Sequence, residues 1–246
     1  MNKRLFFITL LLIVSITVVN AQALPRISLG VEEGQNPKDV AVTLQILLIL
    51  TVLSIAPSIL ILMTSYTRIA IVLSMVKKAV GTQSSPSNQI VAALALFLTF
   101  FIMTPVFRSV NDNALQPYLD GDLTHKEAYK EAVTPFREFM LKQTREKDLA
   151  LMVNNARMEK PDNADDLPIQ VIVPAFAISE LRLAFQMGFL IYLPFLMIDM
   201  IIASILMSMG MMMLPPVMIS APFKILLFVL VDGWYIIIQS LVNSFN

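Results

Sequence analysis

Long charge-free stretches alternate with polar segments along this chain. Residues 44–63 form the first such stretch, 20 residues in length, and about 20 apolar residues are enough for a helix to cross a hydrocarbon core. A second covers residues 90–107, and residues 183–223 are almost continuously apolar, interrupted by Asp199. The pattern predicts an all-α fold of membrane-associated helical hairpins, and the prolines inside these stretches predict kinks.

The pattern reverses between residues 108 and 166, where 21 of the chain's 36 charged side chains lie. Thr124 and Glu127 form a capping-box pattern that predicts the start of a helix, and Thr134 with Pro135 predicts the start of the next one. This segment is therefore expected to form a small extracytoplasmic insertion of two or three short amphipathic helices. The apolar residues following Pro135 are predicted to share one face: Phe136, Phe139 and Met140.

The amino terminus has the order of a secretory signal peptide. Lys3 and Arg4 precede an apolar stretch at residues 5–19, and Ala21 and Ala23 form an Ala-x-Ala site. This order predicts cleavage after Ala23, with an uncleaved first membrane helix as the alternative. If the mature amino terminus lies outside the cell membrane, the polar insertion returns to the same side after two crossings.

These signals divide the chain into consecutive parts. The turn of the last hairpin is predicted at Pro215 and Pro216, residues 159–168 are interpreted as a linker, and the charge run at residues 145–148 is interpreted as a solvated face. The predicted parts are a cleavable signal peptide (1–23), an N-terminal arm (24–43), a first helical hairpin (44–107), a polar helical periplasmic insertion (108–168) and a second helical hairpin (169–246).

Composition supports a membrane protein without chemistry of its own. Hydrophobic residues make up 57% of the chain, charged residues 15%, and the mean hydropathy is +0.72. The absence of cysteine excludes thiolate metal sites and cysteine nucleophiles, and the single histidine, His125, cannot form a multi-histidine site. No phosphate-binding loop and no nucleophile with an adjacent base occur, so we expect no enzyme, no cofactor and no metal. The net charge of zero gives no reason to expect a nucleic-acid partner.

Several charged residues lie within or beside the apolar stretches of the second hairpin, where charges are costly and tend to pair. Lys224 and Asp232 are eight positions apart, about 12 Å along a helix, so they do not satisfy each other easily. We therefore predict that Lys224 pairs with Glu180, within one chain or between neighbouring chains. The alternative is that both side chains reach water independently. Asp199 and Arg182 are the remaining charges in this region.

A methionine-rich run occupies residues 207–213, where five of seven positions are methionine, and Pro215 and Pro216 follow it. Methionine is flexible and repacks when its neighbours move. The run therefore indicates a surface that closes around something variable, with a lipid-facing helix end as the alternative. Nearby, Ser204 and Ser208 have the spacing of small residues that lets helices pack closely.

A specific resemblance is carried by four segments in order: MTSYTRIAIVLS at 63–74, PAFAISELRLAFQMGF at 174–189, LPFLMIDMIIASILMSMGMMMLPP at 193–216 and FKILLFVLVDGW at 223–234. They resemble the FliP family, the larger export-gate subunits of flagellar type III secretion, and their injectisome relatives. The resemblance covers nearly the whole chain. One departure is Pro86-Ser87, where the family loop commonly has two prolines. The signal peptide and long insertion are more similar to the flagellar branch.

The resemblance implies a homopentamer that assembles with FliQ and FliR into a helical cone in the bacterial inner membrane, at the flagellar basal body. This cone is the channel for unfolded flagellar proteins. For such a channel we predict a methionine gasket, because a stack of apolar side chains blocks ions by dewetting and parts without breaking hydrogen bonds. The predicted gate residues are Met209, Gly210, Met211, Met212 and Met213.

An alternative function is a secondary transporter for a small solute or an ion. Asp199, Glu180 and Lys224 would then form a binding site near the middle of the membrane. Transporters of this type usually show internal repeats and more membrane spans than this chain offers. The mass of the purified complex distinguishes the two hypotheses, because the gate predicts a large odd-numbered assembly.

Overall fold

A computed structural model describes residues 37–82, 85–156, 158, 167–211 and 214–245 of the chain. All regular elements in these ranges are helical, which confirms the predicted all-α class. The predicted cleavage site at Ala21 and Ala23 and most of the predicted arm and linker lie outside the described residues.

The helices follow one another with short connections, and one π-helical turn continues α3 directly. Their bounds are α1 Pro37–Leu62, α2 Tyr66–Val80, α3 Asn88–Val110, the π-helical turn Asn111–Leu115, α4 Gln116–Asp120, α5 His125–Gln143, α6 Glu146–Asn155, α7 Ile169–Ser208, α8 Pro216–Leu230 and α9 Gly233–Asn243.

Contacts divide the chain into two compact units, Met1–Val52 and Leu53–Asn246. The described part of the first unit is the amino-terminal portion of α1. The second unit contains α2 to α9 and all the sites described below.

The core of the second unit forms where α2 packs along α7. Ile69, Val72 and Val76 of α2 have no exposed surface, as their three- and four-residue spacing predicts for one buried helix face. The two helices run in the same direction, because Arg68 near the start of α2 bonds to Glu180 and Met75 lies over Gly188 further along. A Cβ atom at Gly188 would lie 2.2 Å from the Met75 sulfur, so glycine permits this close approach.

A second cluster joins the insertion to the first turns of α7. Met140 of α5 and Ile172 and Phe176 of α7 are fully buried in it. Phe139 packs edge-on against Phe176, with 5.9 Å between the ring centroids. Phe136 and Phe139 lie against the same cluster, which confirms the predicted apolar face of α5.

Local helix signals are confirmed at two helix ends. Thr124 and Glu127 form the predicted capping box at the start of α5. Gly81 ends α2 with a φ of 82°, and its N–H donates to the Lys78 carbonyl at 3.1 Å. A residue without a Cβ atom adopts this left-handed conformation at little cost.

The predicted helix start at Thr134 and Pro135 is wrong, because α5 runs through both residues. The Thr134 hydroxyl donates to the Lys130 carbonyl at 2.9 Å, within the same helix, instead of capping a new one. Pro135 is buried, so tertiary packing outweighs the local preference of proline for a helix start.

Two helical segments are long and apolar enough to cross a membrane, Asn88–Asp120 and Ile169–Ser208. A third is possible if α8 and α9, bent by 64° at their junction, count as one span. Asp232 lies at this bend with a φ of 51°. The predicted span at residues 44–63 corresponds to a shorter apolar stretch, Thr43–Ile59, so four full spans are not found among the described residues.

Candidate functional site

The methionine-rich loop joins α7 to α8, and its first turn is a well-formed helix end. Gly210 has a φ of 76°, the Gly210 N–H donates to the Met207 carbonyl at 3.1 Å, and the Met211 N–H donates to the Leu206 carbonyl at 3.0 Å. This pair of bonds is the Schellman motif that satisfies the last carbonyls of a helix. Gly210 therefore ends α7 by its positive φ, a sharper role than the flexibility predicted for it.

The methionine side chains at this helix end are exposed. Met209 exposes 65% of its surface and Met211 exposes 36%. Met212 and Met213 lie outside the described residues. Within one chain, Met209 in particular is not filling space between helices, so its apolar surface is free to meet something else.

A buried charge pair holds the two arms of this hairpin together. Lys224 of α8 is 2% exposed, and its Nζ donates to Oδ2 of Asp199 on α7 at 2.5 Å. The Ser220 hydroxyl donates to Oδ1 of the same carboxylate at 2.5 Å. Both donors lie on one face of α8 because they are four residues apart. The cluster fixes the register of α8 against α7, about ten residues before the methionine loop.

A second buried charge pair joins α2 to α7. Arg68 is 1% exposed and Glu180 has no exposed surface. The Arg68 Nε donates to Glu180 Oε2 at 2.9 Å, and Nη2 donates to Oε1, so the guanidinium binds the carboxylate with two parallel bonds. This bidentate geometry is the strongest arrangement for an arginine and a carboxylate.

The remaining Arg68 donors reach two further parts of the chain. Nη1 donates to the Ser244 carbonyl and hydroxyl, each at 2.9 Å, and Nη2 donates to the side-chain oxygen of Gln143 at 3.0 Å. The guanidinium also lies 3.8 Å from the centre of the Phe245 ring. All five N–H groups of the arginine are thus used, and α2, α5, α7 and the residues after α9 meet at one side chain.

The predicted pairing of Glu180 with Lys224 is therefore wrong within the chain. The two residues belong to separate clusters, because Glu180 lies 19 positions before Asp199 on α7, about 28 Å along the helix axis. A turn near Pro215 places Lys224 beside Asp199 and leaves Glu180 at the far end of the bundle.

The insertion is anchored next to Glu180 by a polar contact of its own. The Ser179 hydroxyl donates to Asp148 Oδ2 at 2.6 Å and accepts from the Arg145 backbone N–H at 3.1 Å. The Arg145 side chain completes the cluster, with Nη2 at 2.5 Å from the same Asp148 oxygen. The interpretation of residues 145–148 as a solvated face is therefore wrong, since Asp148 is buried against α7.

The Asp148 carboxylate is charged in this setting. Burial raises its pKa, but hydrogen bonds from Ser179 and Arg145, together with the charges of Arg145 and Arg182, outweigh burial and bring the pKa below the usual aspartate value. The insertion is consequently held to α7 by an ionised group at neutral pH.

The serines predicted to pack helices face outwards in this chain. The Ser204 hydroxyl donates to the Met200 carbonyl at 2.9 Å, and the Ser208 hydroxyl donates to the Ile205 carbonyl at 2.7 Å, both within α7. Both residues are exposed. Their use in close packing stays a prediction for contacts with another chain.

Comparison with known proteins gives a family match over residues 49–241, to the FliP family. The chain belongs to the FliP family. It is 59% identical to the flagellar biosynthetic protein FliP of Bacillus subtilis over 217 residues, which covers 88% of this chain and 98% of that protein. It is 46% identical to the FliP of Treponema pallidum, covering 94% and 87% of the two chains, and 43% identical to that of Caulobacter vibrioides, covering 99% and 92%.

Membership of the FliP family confirms the predicted role in flagellar biosynthesis and does not support the transporter alternative. The geometry gives a physical reason, because the charges assigned to a solute site already neutralise one another. Lys224 is bonded to Asp199 and Glu180 to Arg68. The matched range 49–241 contains both charge pairs and the methionine loop.

Sequence reasoning missed Arg68 and Asp148 in this FliP-family chain. Arg68 follows the polar run Thr64–Thr67 and resembles an interfacial residue, although Ile69, Val72 and Val76 after it mark a buried face. Its position inside the segment that carried the family resemblance was the available signal. Asp148 gave no such signal, because its partner Ser179 lies 31 positions away.

Proposed function

We propose that this chain is a core subunit of the flagellar type III export gate in the bacterial inner membrane. Several copies, together with FliQ and FliR, form the channel through which unfolded flagellar proteins cross that membrane. Family membership supports the place in flagellar biosynthesis, and the two long apolar segments Asn88–Asp120 and Ile169–Ser208 support a membrane location.

The observation that carries the proposal is an exposed methionine at the end of a braced hairpin. Met209 is 65% exposed, and the Asp199–Lys224 pair fixes the hairpin that presents it. A channel for unfolded chains must stop ions when idle and accept side chains of any size when active. Methionines from several subunits meet both needs, since an apolar constriction blocks ions by dewetting and soft rotamers let it part.

The outer surface supports assembly with lipid and with other subunits. Exposed aromatic residues follow the outward faces of α3 and α7, and an exposed apolar surface of this extent marks an interaction site. The largest are Phe97 at 72%, Phe101 at 67%, Phe185 at 57% and Phe189 at 57% exposure. In the proposed assembly, Ser204 and Ser208 provide the small residues at which neighbouring helices approach.

The proposal retains the predicted maturation of the chain. Cleavage after Ala23 places the new amino terminus outside the cell membrane, and the polar insertion lies on the same side. Sequencing the amino terminus of assembled protein tests this step, since intact Met1 contradicts it.

Site-specific crosslinking to a stalled export substrate tests the function. A photoreactive amino acid replaces Met209 in cells that express a flagellar export substrate fused to a domain too stable to unfold. The stalled chain is expected to crosslink to this position, because the proposal places Met209 at the channel constriction.

The matched control carries the same photoreactive group at Phe97, which is more exposed but lies on the outer face of α3. The proposal expects crosslinks from position 209 and none from position 97. Equal labelling at both positions, or none at position 209 in cells that secrete normally, contradicts it.

A further inference from the structure

An apolar cavity of about 280 Å³ opens where the end of α2, the start of α3 and α9 meet. At about 30 Å³ per water molecule, it has the volume of roughly nine waters. Ile90 at its edge is 59% exposed and Trp234 is 37% exposed, so the cavity is open to the surface. Its apolar walls are Leu73, Pro86, Ile90, Val91, Leu94 and Trp234.

The rim of this cavity is positively charged. Lys77 lies four residues after the lining residue Leu73, on the same face of α2. Its Nζ donates to the side-chain oxygen of Asn88 at 2.8 Å, and Lys78 beside it is exposed. Neither lysine forms an ion pair among the described residues. No aspartate or glutamate occurs between residues 66 and 111, so these two elements bring no carboxylate to the rim.

The position of the cavity along α3 matches the edge of a membrane. Asn88 begins the apolar segment Asn88–Asp120, so the cavity lies at the first turns of a helix long enough to span a bilayer. Tryptophan and lysine are enriched at this level of membrane proteins, where the ring lies among lipid chains and the ammonium reaches the headgroups. An apolar cavity below a pair of lysines therefore has the chemistry of a single lipid.

We propose that the cavity binds an acyl-chain segment of an anionic phospholipid, with the lipid phosphate against Lys77 and Lys78. The acyl chain contacts Leu94 and Trp234, and the phosphate takes over the Lys77 ammonium from Asn88. The site depends on the chain lying in a membrane and is independent of the export function. A side chain from a partner protein is the competing occupant.

The chain contains a single tryptophan, so Trp234 is a reporter inside the proposed site. The full chain, purified in detergent, is titrated with phosphatidylglycerol that carries bromine atoms on its acyl chains, which quench tryptophan fluorescence on contact. Phosphatidylcholine with the same brominated chains is the neutral comparison. One lysine near an anionic lipid surface is worth about a fivefold change in affinity. The two lysines together therefore predict saturable quenching at roughly 5- to 25-fold less phosphatidylglycerol than phosphatidylcholine.

Two pairs of variants separate this site from general contact with lipid. Lys77→Gln with Lys78→Gln should remove the preference for phosphatidylglycerol, whereas Lys126→Gln with Lys130→Gln on the exposed face of α5 should leave it unchanged. Leu94→Phe fills the cavity and should abolish the saturable phase. Leu96→Phe, at a 45% exposed position outside the cavity, should retain that phase. Circular dichroism confirms that each variant has the helix content of the wild type.

Equal quenching by the two lipids in the wild type overturns the proposed headgroup contact. Quenching that does not saturate, or that survives Leu94→Phe, shows bulk lipid against the exposed Trp234 ring and overturns the cavity site. No quenching by either lipid, with a fluorescence change only on adding partner subunits, assigns the cavity to a protein side chain and also overturns the proposal.

Discussion

Replacing Arg68 by alanine is expected to be among the most damaging single changes in the bundle. The substitution removes five hydrogen-bond donors at once and leaves the Glu180 carboxylate, which has no exposed surface, without a counter-charge. It also strands the acceptors of Gln143 and Ser244. Removing one partner of a fully buried pair costs about 3–5 kcal/mol.

This cost translates into a measurable shift of the melting temperature. For a protein of this size, 1 kcal/mol lowers the melting temperature by about 2–4 °C. Arg68→Ala is therefore expected to melt about 6–20 °C below the wild type. Thermal unfolding of the purified chain in detergent, followed by circular dichroism, gives the value.

Arg182→Ala is the matched control, because Arg182 is an exposed arginine two positions from Glu180 on α7. Exposed substitutions of this kind usually change stability by at most about 0.5 kcal/mol. Arg68→Ala combined with Glu180→Ala should cost less than the two single changes together, since neither charge is then left unpaired. If Arg68→Ala melts within about 2 °C of the wild type, a shift below the range for broken buried pairs, the proposed role of this pair is refuted.

Three further changes test other parts of the structure by thermal unfolding or hydrogen exchange. Lys224→Ala should cost less than about 3 kcal/mol, because Asp199 is 22% exposed and water can solvate it, and exchanging the two charges should restore part of the loss. Gly188→Ala should cost about 1–3 kcal/mol by overpacking, and adding Met75→Ala should relieve it; an equal cost in both backgrounds contradicts the close contact. The lowered pKa of Asp148 gives stability that is present above its unfolded value of about 3.9 and lost as pH falls through the lower folded value. Asp148→Asn should therefore speed exchange in α6 at pH 7, and the difference should shrink below about pH 4; no difference at pH 7 contradicts the anchor.

Features that depend on neighbouring residues could be predicted from the sequence. The capping box at Thr124 and Glu127 and the helix end at Gly81 follow from bonds within four residues. The same holds for the helix end before Pro215. Local rules failed at Pro135, where burial in the second cluster keeps one helix continuous. The long apolar stretches likewise identified the membrane helices, because their length and composition are sequence properties.

The partners of the buried charges could not be predicted, because they depend on the alignment of distant helices. Arg68 and Glu180 are 112 positions apart, and Asp199 and Lys224 are 25 apart across a turn. Glu180 and Lys224 each required a partner, as predicted, but the alignment of α2 with α7 gave Glu180 a nearer one. Asp148 looked solvated because Ser179, which buries it, lies on another helix.

Ion leakage through the idle export gate tests the central claim most directly. Met211, Met212 and Met213 are replaced together by alanine, and the membrane conductance to small ions is measured in cells that assemble the complete gate. The matched control replaces three exposed methionines on the outer surface of α7, each 63% or 64% exposed: Met197, Met200 and Met207.

The proposed gate predicts that the loop variant assembles and leaks small ions, because alanine cannot fill the constriction that methionine closes. The control variant should remain tight. A loop variant that assembles and keeps the membrane as tight as the wild type contradicts the account, because the methionines would then only fill space and the seal would lie elsewhere.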